Sequence, residues 1–288
     1  MTTVGFIGLG NMGQPMAENL SAAGHRLCVH DAAGTAERAP AGTSPANSVV
    51  HVAAVADPVI LSLPDGAAVR KVVDEIRESP NAVTHTIVDT STIGIAAARS
   101  IGRTLVDDGF EYVDAPVSGG VSGARAATLA VMFAGSSSAH NRLAPLLGAL
   151  CRHLVYVGRR PGQGQAMKVL NNFLSATAMA ATSEAIAFGL RQGLEMSTML
   201  DVLNASSGMN TATADKFPNR VLTESYDAGF ATRLLRKDVS LYVEAAADAG
   251  VRAGVAEAVS ALWDEYATEH GDEDFTRVFP FVRGSEEE

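Results

Sequence analysis

Residues 4–31 read VGFIGLGNMGQPMAENLSAAGHRLCVHD. A short apolar strand holding Val4, Phe6 and Ile7 runs straight into Gly8, Gly10 and Gly13. A helical pattern follows, with Met12, Met16, Ala17 and Leu20 on one face, and a second strand, Leu27–His30, ends at Asp31. A G-x-G-x-x-G alone would fit a mere loop. With a strand before it, a helix after it and an acid closing the second strand, it is the dinucleotide-binding βαβ pattern. Gly8 makes the tight turn, Gly10 lets the backbone approach a pyrophosphate, and Gly13 lets helix and strand pack closely. The helix N-terminus offers N–H groups and a positive dipole end to the phosphates.

Asp31 narrows the cofactor to NAD. A carboxylate there accepts hydrogen bonds from the adenine ribose and repels the extra phosphate of NADP. Ala32 and Ala33 follow, so no arginine adjoins it to hold that phosphate. The alternative is a solvated loop aspartate. His30 reads as a strand-end residue.

The rest of the chain bounds this reading. At 288 residues, 47% of them apolar, it suffices for one large or two ordinary domains with a sizeable core. A net charge of −10 and the lack of a basic run argue against nucleic acid. Cys28 reads as a small core residue. Neither it nor Cys151 belongs to a C-x-x-C pair, and the histidines are scattered, so no metal is expected. The N-terminus lacks a signal-peptide pattern, and no run of about eighteen apolar residues predicts a membrane span. The expected compartment is the cytoplasm, and Glu286–Glu288 reads as a solvated end.

Up to about residue 160, short apolar runs alternate with helical patterns. The strands are predicted at Val4–Ile7, Leu27–His30, Val59–Leu63, Thr86–Asp89, Glu111–Asp114, Leu129–Ala134 and Leu154–Val157. Ser44-Pro45 reads as a helix cap with proline at the first helical position. Asp65 precedes another helix, with Val69, Val72, Val73 and Ile76 on its inner face. This predicts an α/β fold with a Rossmann-type doubly wound sheet. After Gly158–Gly162 the pattern changes. Gln165–Arg191 carries a helical composition broken only by Gly189 near its end, enough for a helix about 40 Å long. More helical segments follow at Ser197–Ser206, Leu235–Ala249 and Val255–Glu269. The expected domains are 1–161, binding NAD, and 162–288, all-helical and entered by that long helix, which would line a cleft.

Three segments carry candidate chemistry. On the long helix, Lys168, Asn171 and Asn172 lie at i, i+3 and i+4 and share one face. They fit a hydroxyl or carbonyl site, and equally an exposed polar stripe. In DAPVSGGVSGAR, residues 114–125, Ser118, Gly119 and Gly120 offer a hydroxyl and two N–H groups to an anion, or form a simple turn. Lys237-Asp238 reads by itself as a surface ion pair. Leu63-Pro64 and Ser91-Thr92 follow strand ends, where a cofactor would lie.

Taken together, these segments resemble the β-hydroxyacid dehydrogenase family, the group of 3-hydroxyisobutyrate dehydrogenase and tartronate semialdehyde reductase. The resemblance spans nearly the whole chain: FIGLGNMGQPMAENL at 6–20, DTSTI at 89–93, DAPVSGG at 114–120, G-x-x-x-K-x-x-N-N at 164–172 and G-F-x-x-x-L-x-x-K-D at 229–238. It implies Lys168 as acid/base on the β-hydroxyl. It implies that Asn172, with Asn171 beside it, places the substrate, and that Ser118, Gly119 and Gly120 hold its carboxylate. Lys237 would sit near both cofactor and substrate. Independently of the resemblance, a cation close to Lys168 would lower its pKa, and Lys237 is the candidate for that cation. The implied cofactor set is Gly8, Leu9, Gly10, Asn11, Met12, Gly13, Asp31, Leu63, Pro64, Thr92 and Lys237. The resemblance also implies a helical domain that mediates a homodimer or homotetramer.

The chain departs from the family where glycine is common and it has Ala127, and where two glycines are common and it has Ala134-Gly135; both read as packing positions. The substrates consistent with the motifs are 3-hydroxyisobutyrate, serine, threonate and the glycerate/tartronate semialdehyde couple. The rivals are an imine reductase, which usually lacks a lysine at position 168, and a non-catalytic cofactor-binding module, which would not need to keep it. The related 6-phosphogluconate dehydrogenase has a far longer chain.

Overall fold

Every residue of β1 (Val4–Ile7) is buried, and neighbours in sequence face opposite sides of a sheet. Phe6 packs with Val29, Ile60, Val88 and Val113, and Ile7 with Cys28, Leu61, Ile87 and Tyr112. Two cores on two faces of one sheet define a doubly wound α/β fold. Each fully buried Val, Leu, Ile or Phe side chain contributes about 1.5–3 kcal/mol.

The computed structural model describes residues 2–284; Glu286–Glu288, expected to be solvated, lie outside them. The chain runs through α1 (Gly13–Ala22), β2 (Leu27–His30), α2 (Thr35–Arg38), β3 (Ser44–Pro45), α3 (Val49–Val55), β4 (Val59–Leu61) and α4 (Gly66–Arg77). It continues through β5 (Thr86–Asp89), α5 (Ile95–Asp107), β6 (Glu111–Asp114), β7 (Val117–Ser118), α6 (Gly120–Arg125), β8 (Leu129–Ala134), α7 (Ser137–Leu147) and β9 (Cys151–Gly158). The sheet order is β3-β2-β1-β4-β5-β6-β8, with β7 and β9 both paired to β8. The first six strands are parallel; β8 runs antiparallel to β6. Helices α1, α6 and α7 cover one face, and α3, α4 and α5 the other. The strand order reverses between β1 and β4, the crevice where such sheets bind ligands.

Five predicted strands, Val4–Ile7, Leu27–His30, Thr86–Asp89, Glu111–Asp114 and Leu129–Ala134, have the expected bounds, Val59–Leu61 is two residues shorter than expected, and β9 is longer at both ends. Asp65 caps α4 by accepting from Ala68 N at 2.9 Å. Ser44-Pro45 is a correction: it is a short edge strand, not a helix start. Proline has no N–H to give the ladder and is tolerated at such an edge. The helix cap is Ser48, whose Oγ accepts from His51 N at 3.1 Å. Ala127 is another correction. Its φ is +53°, so glycine suits this position for backbone conformation rather than packing.

The chain divides into two compact units, 1–168 and 169–288. The helix α8 (Gln163–Arg191) begins in the first and continues through the second. The second unit is otherwise built from α9 (Met196–Asn204), a π-helical segment Ala212–Val221, α10 (Thr232–Asp248), α11 (Gly254–His270), a short 3-10 turn and α12 (Val278–Arg283). Its core gathers Phe173, Met179 and Ile186 of α8 with Phe217, Leu235, Val239, Trp263, Tyr266 and Phe279. By length and composition α8 could span a membrane, but half of its apolar stretch is buried, as in a core helix.

Candidate active site

The phosphate loop is shaped by what cannot fit. Gly8 has φ +97°, and a Cβ on Gly13 would lie 1.8 Å from the Gly8 carbonyl oxygen. A Cβ on Gly10 meets nothing within 4 Å, so its backbone faces open space where a pyrophosphate can approach. No side chain caps α1 and no acid sits in its first turn, which leaves its dipole end for an anion. Leu9 N donates to Asp31 Oδ2 at 2.6 Å, and Ala33 N to Asp31 Oδ1 at 2.8 Å. The carboxylate at the end of β2 is thereby fixed beside the loop. These residues fit a nicotinamide dinucleotide. Arg38, at the end of α2, lies 3.9 Å from Asp31 Oδ1. An arginine therefore does reach Asp31, from seven residues along the chain rather than from the adjacent positions.

Leu63, after β4, is tied to the next loop: its N–H donates to Ser91 Oγ at 2.8 Å. Thr92 is half-buried beside Ser91, and Pro64 is exposed. Ser118 lies in β7, opposite Ala130 of β8, rather than in an irregular loop. Gly119 and Gly120 follow with φ +132° and +63° and lead into α6. Only a residue without Cβ takes the first of these conformations readily.

Behind these loops is a buried polar network. Asp89 and Asp114 sit opposite each other at the ends of β5 and β6. Asp89 accepts from Ser91 N at 2.9 Å and from the Tyr112 hydroxyl at 2.9 Å. Asp114 accepts from Gly162 N at 2.8 Å and from Gln165 Nε2 at 2.8 Å. Gly164 sits so close that a Cβ would lie 2.7 Å from the Asp114 carbonyl oxygen. Burial, chiefly, pushes the Asp89 carboxyl up to about 6, against the hydrogen bonds from Ser91 and Tyr112. Burial also raises Asp114.

Folding therefore favours the protonated form of Asp89. The folded protein loses stability as pH rises from about 4 through 6, and at pH 7 the penalty is about 3 kcal/mol. Asparagine at 89 keeps an acceptor for Ser91 N and presents an amide to Tyr112. Asp89→Asn is expected to be more stable than wild type at pH 7, with the gap narrowing at pH 4. Urea unfolding at the two pH values checks this, and an equal gap at both would contradict it.

On α8, Lys168 and Asn172 are both buried, 8% and 6% exposed, and Asn171 is half-buried. Asn172 Nδ2 donates to Asp238 Oδ2 at 2.5 Å, and Asn171 Nδ2 donates to Asn172 Oδ1 at 3.1 Å. Asp238 is itself buried, and Lys237 Nζ lies 3.3 Å from its Oδ1. The surface ion pair expected at 237–238 is thus half interior. Its carboxylate fixes the Asn172 amide and offsets the charge of Lys237, so Lys237 is not a bare cation. The structure joins Asn171, Asn172 and Lys237 through Asp238, and it joins Leu9 to Asp31 and Leu63 to Ser91. Gln165, Asp114 and Arg38 were not foreseen as site partners, and Asp238 was expected to pair only with Lys237, not with Asn172. Gln165, Asp114 and Asp238 lie inside the motifs at 164–172, 114–120 and 229–238, but their long-range partners are not written there.

The fold and phosphate loop define a dinucleotide-binding oxidoreductase. A family model described as the NAD binding domain of 6-phosphogluconate dehydrogenase matches residues 3–158. A second, described as NAD-binding of NADP-dependent 3-hydroxyisobutyrate dehydrogenase, matches 162–282. A probable 3-hydroxyisobutyrate dehydrogenase of Mycobacterium tuberculosis is 35% identical, over 98% of each chain. An NAD-dependent L-serine dehydrogenase of Pseudomonas aeruginosa is 38% identical, over 85% of this chain and 86% of the relative. A solved structure of M. tuberculosis 3-hydroxyisobutyrate dehydrogenase with L-serine aligns at TM-score 0.92 and 33% identity, covering 99% of this chain and 100% of that one. The chain belongs to the β-hydroxyacid dehydrogenase family, oxidoreductases that act on CH–OH with a nicotinamide dinucleotide.

Proposed function

We propose that the protein oxidises 3-hydroxyisobutyrate to its aldehyde with NAD, using Lys168 as the base. The observation that carries this reading is the burial of Lys168 and Asn172 one turn apart on α8, with the Asn172 amide fixed by buried Asp238. When bound, the nicotinamide supplies the hydride acceptor. Lys168 takes the hydroxyl proton through its neutral amine, and returns it in the reverse direction. Asn172 orients the substrate. Ser118 and the N–H groups of Gly119 and Gly120 hold the carboxylate. Gly8, Gly10 and Gly13 admit the pyrophosphate, and Asp31 takes the adenine ribose.

L-Serine is a second acid for the same site. It is supported by the serine dehydrogenase relative and by the related structure with L-serine. It has the same β-hydroxyl and carboxylate, and carries an ammonium where 3-hydroxyisobutyrate carries a methyl. We also read the protein as a cytoplasmic homo-oligomer. Leu174, Phe188 and Val202 of the second unit are exposed apolar side chains that a second copy would cover.

The carboxylate requirement is the test of the loop at 118–120. Charge-assisted hydrogen bonds contribute about 1.5–3 kcal/mol, so kcat/KM for the methyl ester should fall about 10–100-fold below that of the acid. Equal values would show that the loop is only a turn.

A further inference from the structure

Gln165 is fully buried and hydrogen-bonded on all sides. Its Nε2 donates to Asp114 Oδ1 at 2.8 Å and to the Ser91 carbonyl at 3.0 Å. Its Oε1 accepts from Ile93 N at 2.9 Å and from Gly94 N at 3.1 Å. Its backbone N–H donates to Asp114 Oδ2 at 3.2 Å. A primary amide has two donors and two acceptor lone pairs, and here all four are used.

These partners are not scattered. Asp114 ends β6, and Ser91, Ile93 and Gly94 form the loop between β5 and α5. Ser91 in turn accepts from Leu63 N, after β4. One side chain thus binds the first turn of α8 to the ends of two parallel strands, and through Ser91 to a third. Gly162 N on the same Asp114 carboxylate, and the close approach of Gly164 to the Asp114 carbonyl, press that turn onto β6. Lys168 lies three residues further along the same helix, so whatever sets the first turn sets the position of its amine.

We propose that Gln165 is a positioning residue for the reaction: it locks the head of α8 onto the β5 and β6 loops and thereby sets Lys168. The role rests on Lys168 being the acid/base. It requires no contact between Gln165 and substrate or cofactor. Its effect belongs to the geometry of proton transfer, where a displacement of about 1 Å costs up to about 100-fold in rate.

The test is a double-mutant cycle on the full chain, with kcat and KM measured for 3-hydroxyisobutyrate and L-serine. Gln165→Ala removes all four side-chain bonds. Gln165→Glu keeps the shape and the acceptor for Ile93 N and Gly94 N, and loses the donors to Asp114 and Ser91. Each variant is first shown to be folded by thermal unfolding. Both should lower kcat by about 10–100-fold with little change in KM. In a Lys168→Ala background, neither should lower kcat further, because the group being positioned is gone. An equal loss in both backgrounds would overturn the proposal and leave Lys168 standing, as would wild-type kcat in both folded single variants. Wild-type kcat in Lys168→Ala alone would overturn the acid/base reading, and the positioning role with it.

Discussion

Lys168→Ala lowers kcat for oxidation of the β-hydroxyacid by about 10²–10⁴-fold, the range over which a positioned general base acts. As hydride leaves the hydroxyl-bearing carbon, the oxygen must lose its proton, and no histidine stands among the motif residues at 164–172 or 229–238 to accept it. Affinity for NAD should barely change, because the loop at 8–13 and Asp31 stand apart in sequence and in role from the lysine. Lys168→Arg should fail as badly, since a guanidinium stays protonated and cannot act as a base. The measurement is steady-state kcat alongside NADH binding followed by fluorescence. A variant with near wild-type kcat would reduce Lys168 to a buried lysine on a helix.

The second large effect concerns the cofactor. The Asp31 carboxylate is held against the phosphate loop by Leu9 N and Ala33 N, so it cannot easily swing away from an added phosphate. Juxtaposed like charges cost several kcal/mol, which predicts kcat/KM about 100-fold higher with NAD than with NADP. Arg38, 3.9 Å away and half-buried, moderates that repulsion without abolishing it. Asp31→Ala combined with Ala32→Arg should bring the two cofactors close to parity, by removing a repulsion and adding a phosphate partner. Equal use of both by the wild type would sink the reading of Asp31.

The parallel strands were legible because they are near-continuous apolar runs: Val4–Ile7, Leu27–His30, Thr86–Asp89 and Glu111–Asp114 have the bounds their patterns implied. The edge elements were not. Ser44-Pro45 shows a helix-start signature that tertiary pairing with β2 overrides. Strand β7 is two residues long, too short for any period. The π-helical segment Ala212–Val221 holds Pro218 and polar residues that break a 3.6-residue rhythm. It is started instead by Asn210, whose side chain accepts from Ala212 N and Thr213 N. The same division runs through the site. The Gly8-Gly10-Gly13 loop with Asp31 is local chemistry and reads directly. The pairings of Gln165 with Asp114, 51 residues away, and of Asn172 with Asp238, 66 away, depend on the folded sheet and helices. No spacing rule reaches that far. Arg38 shows the same limit at short range, since the turn into α2 brings it back to Asp31.

The central claim is that a hydride passes from the hydroxyl-bearing carbon of a β-hydroxycarboxylate to NAD on this chain. Single turnover with 3-hydroxyisobutyrate deuterated at that carbon tests it most directly, with the reduced cofactor examined by mass spectrometry. The account predicts NADH carrying one deuterium, formed from the free acid and formed about 10²–10⁴-fold more slowly in Lys168→Ala. Absence of reduced cofactor with this acid and with L-serine, or NADH without deuterium, would contradict it.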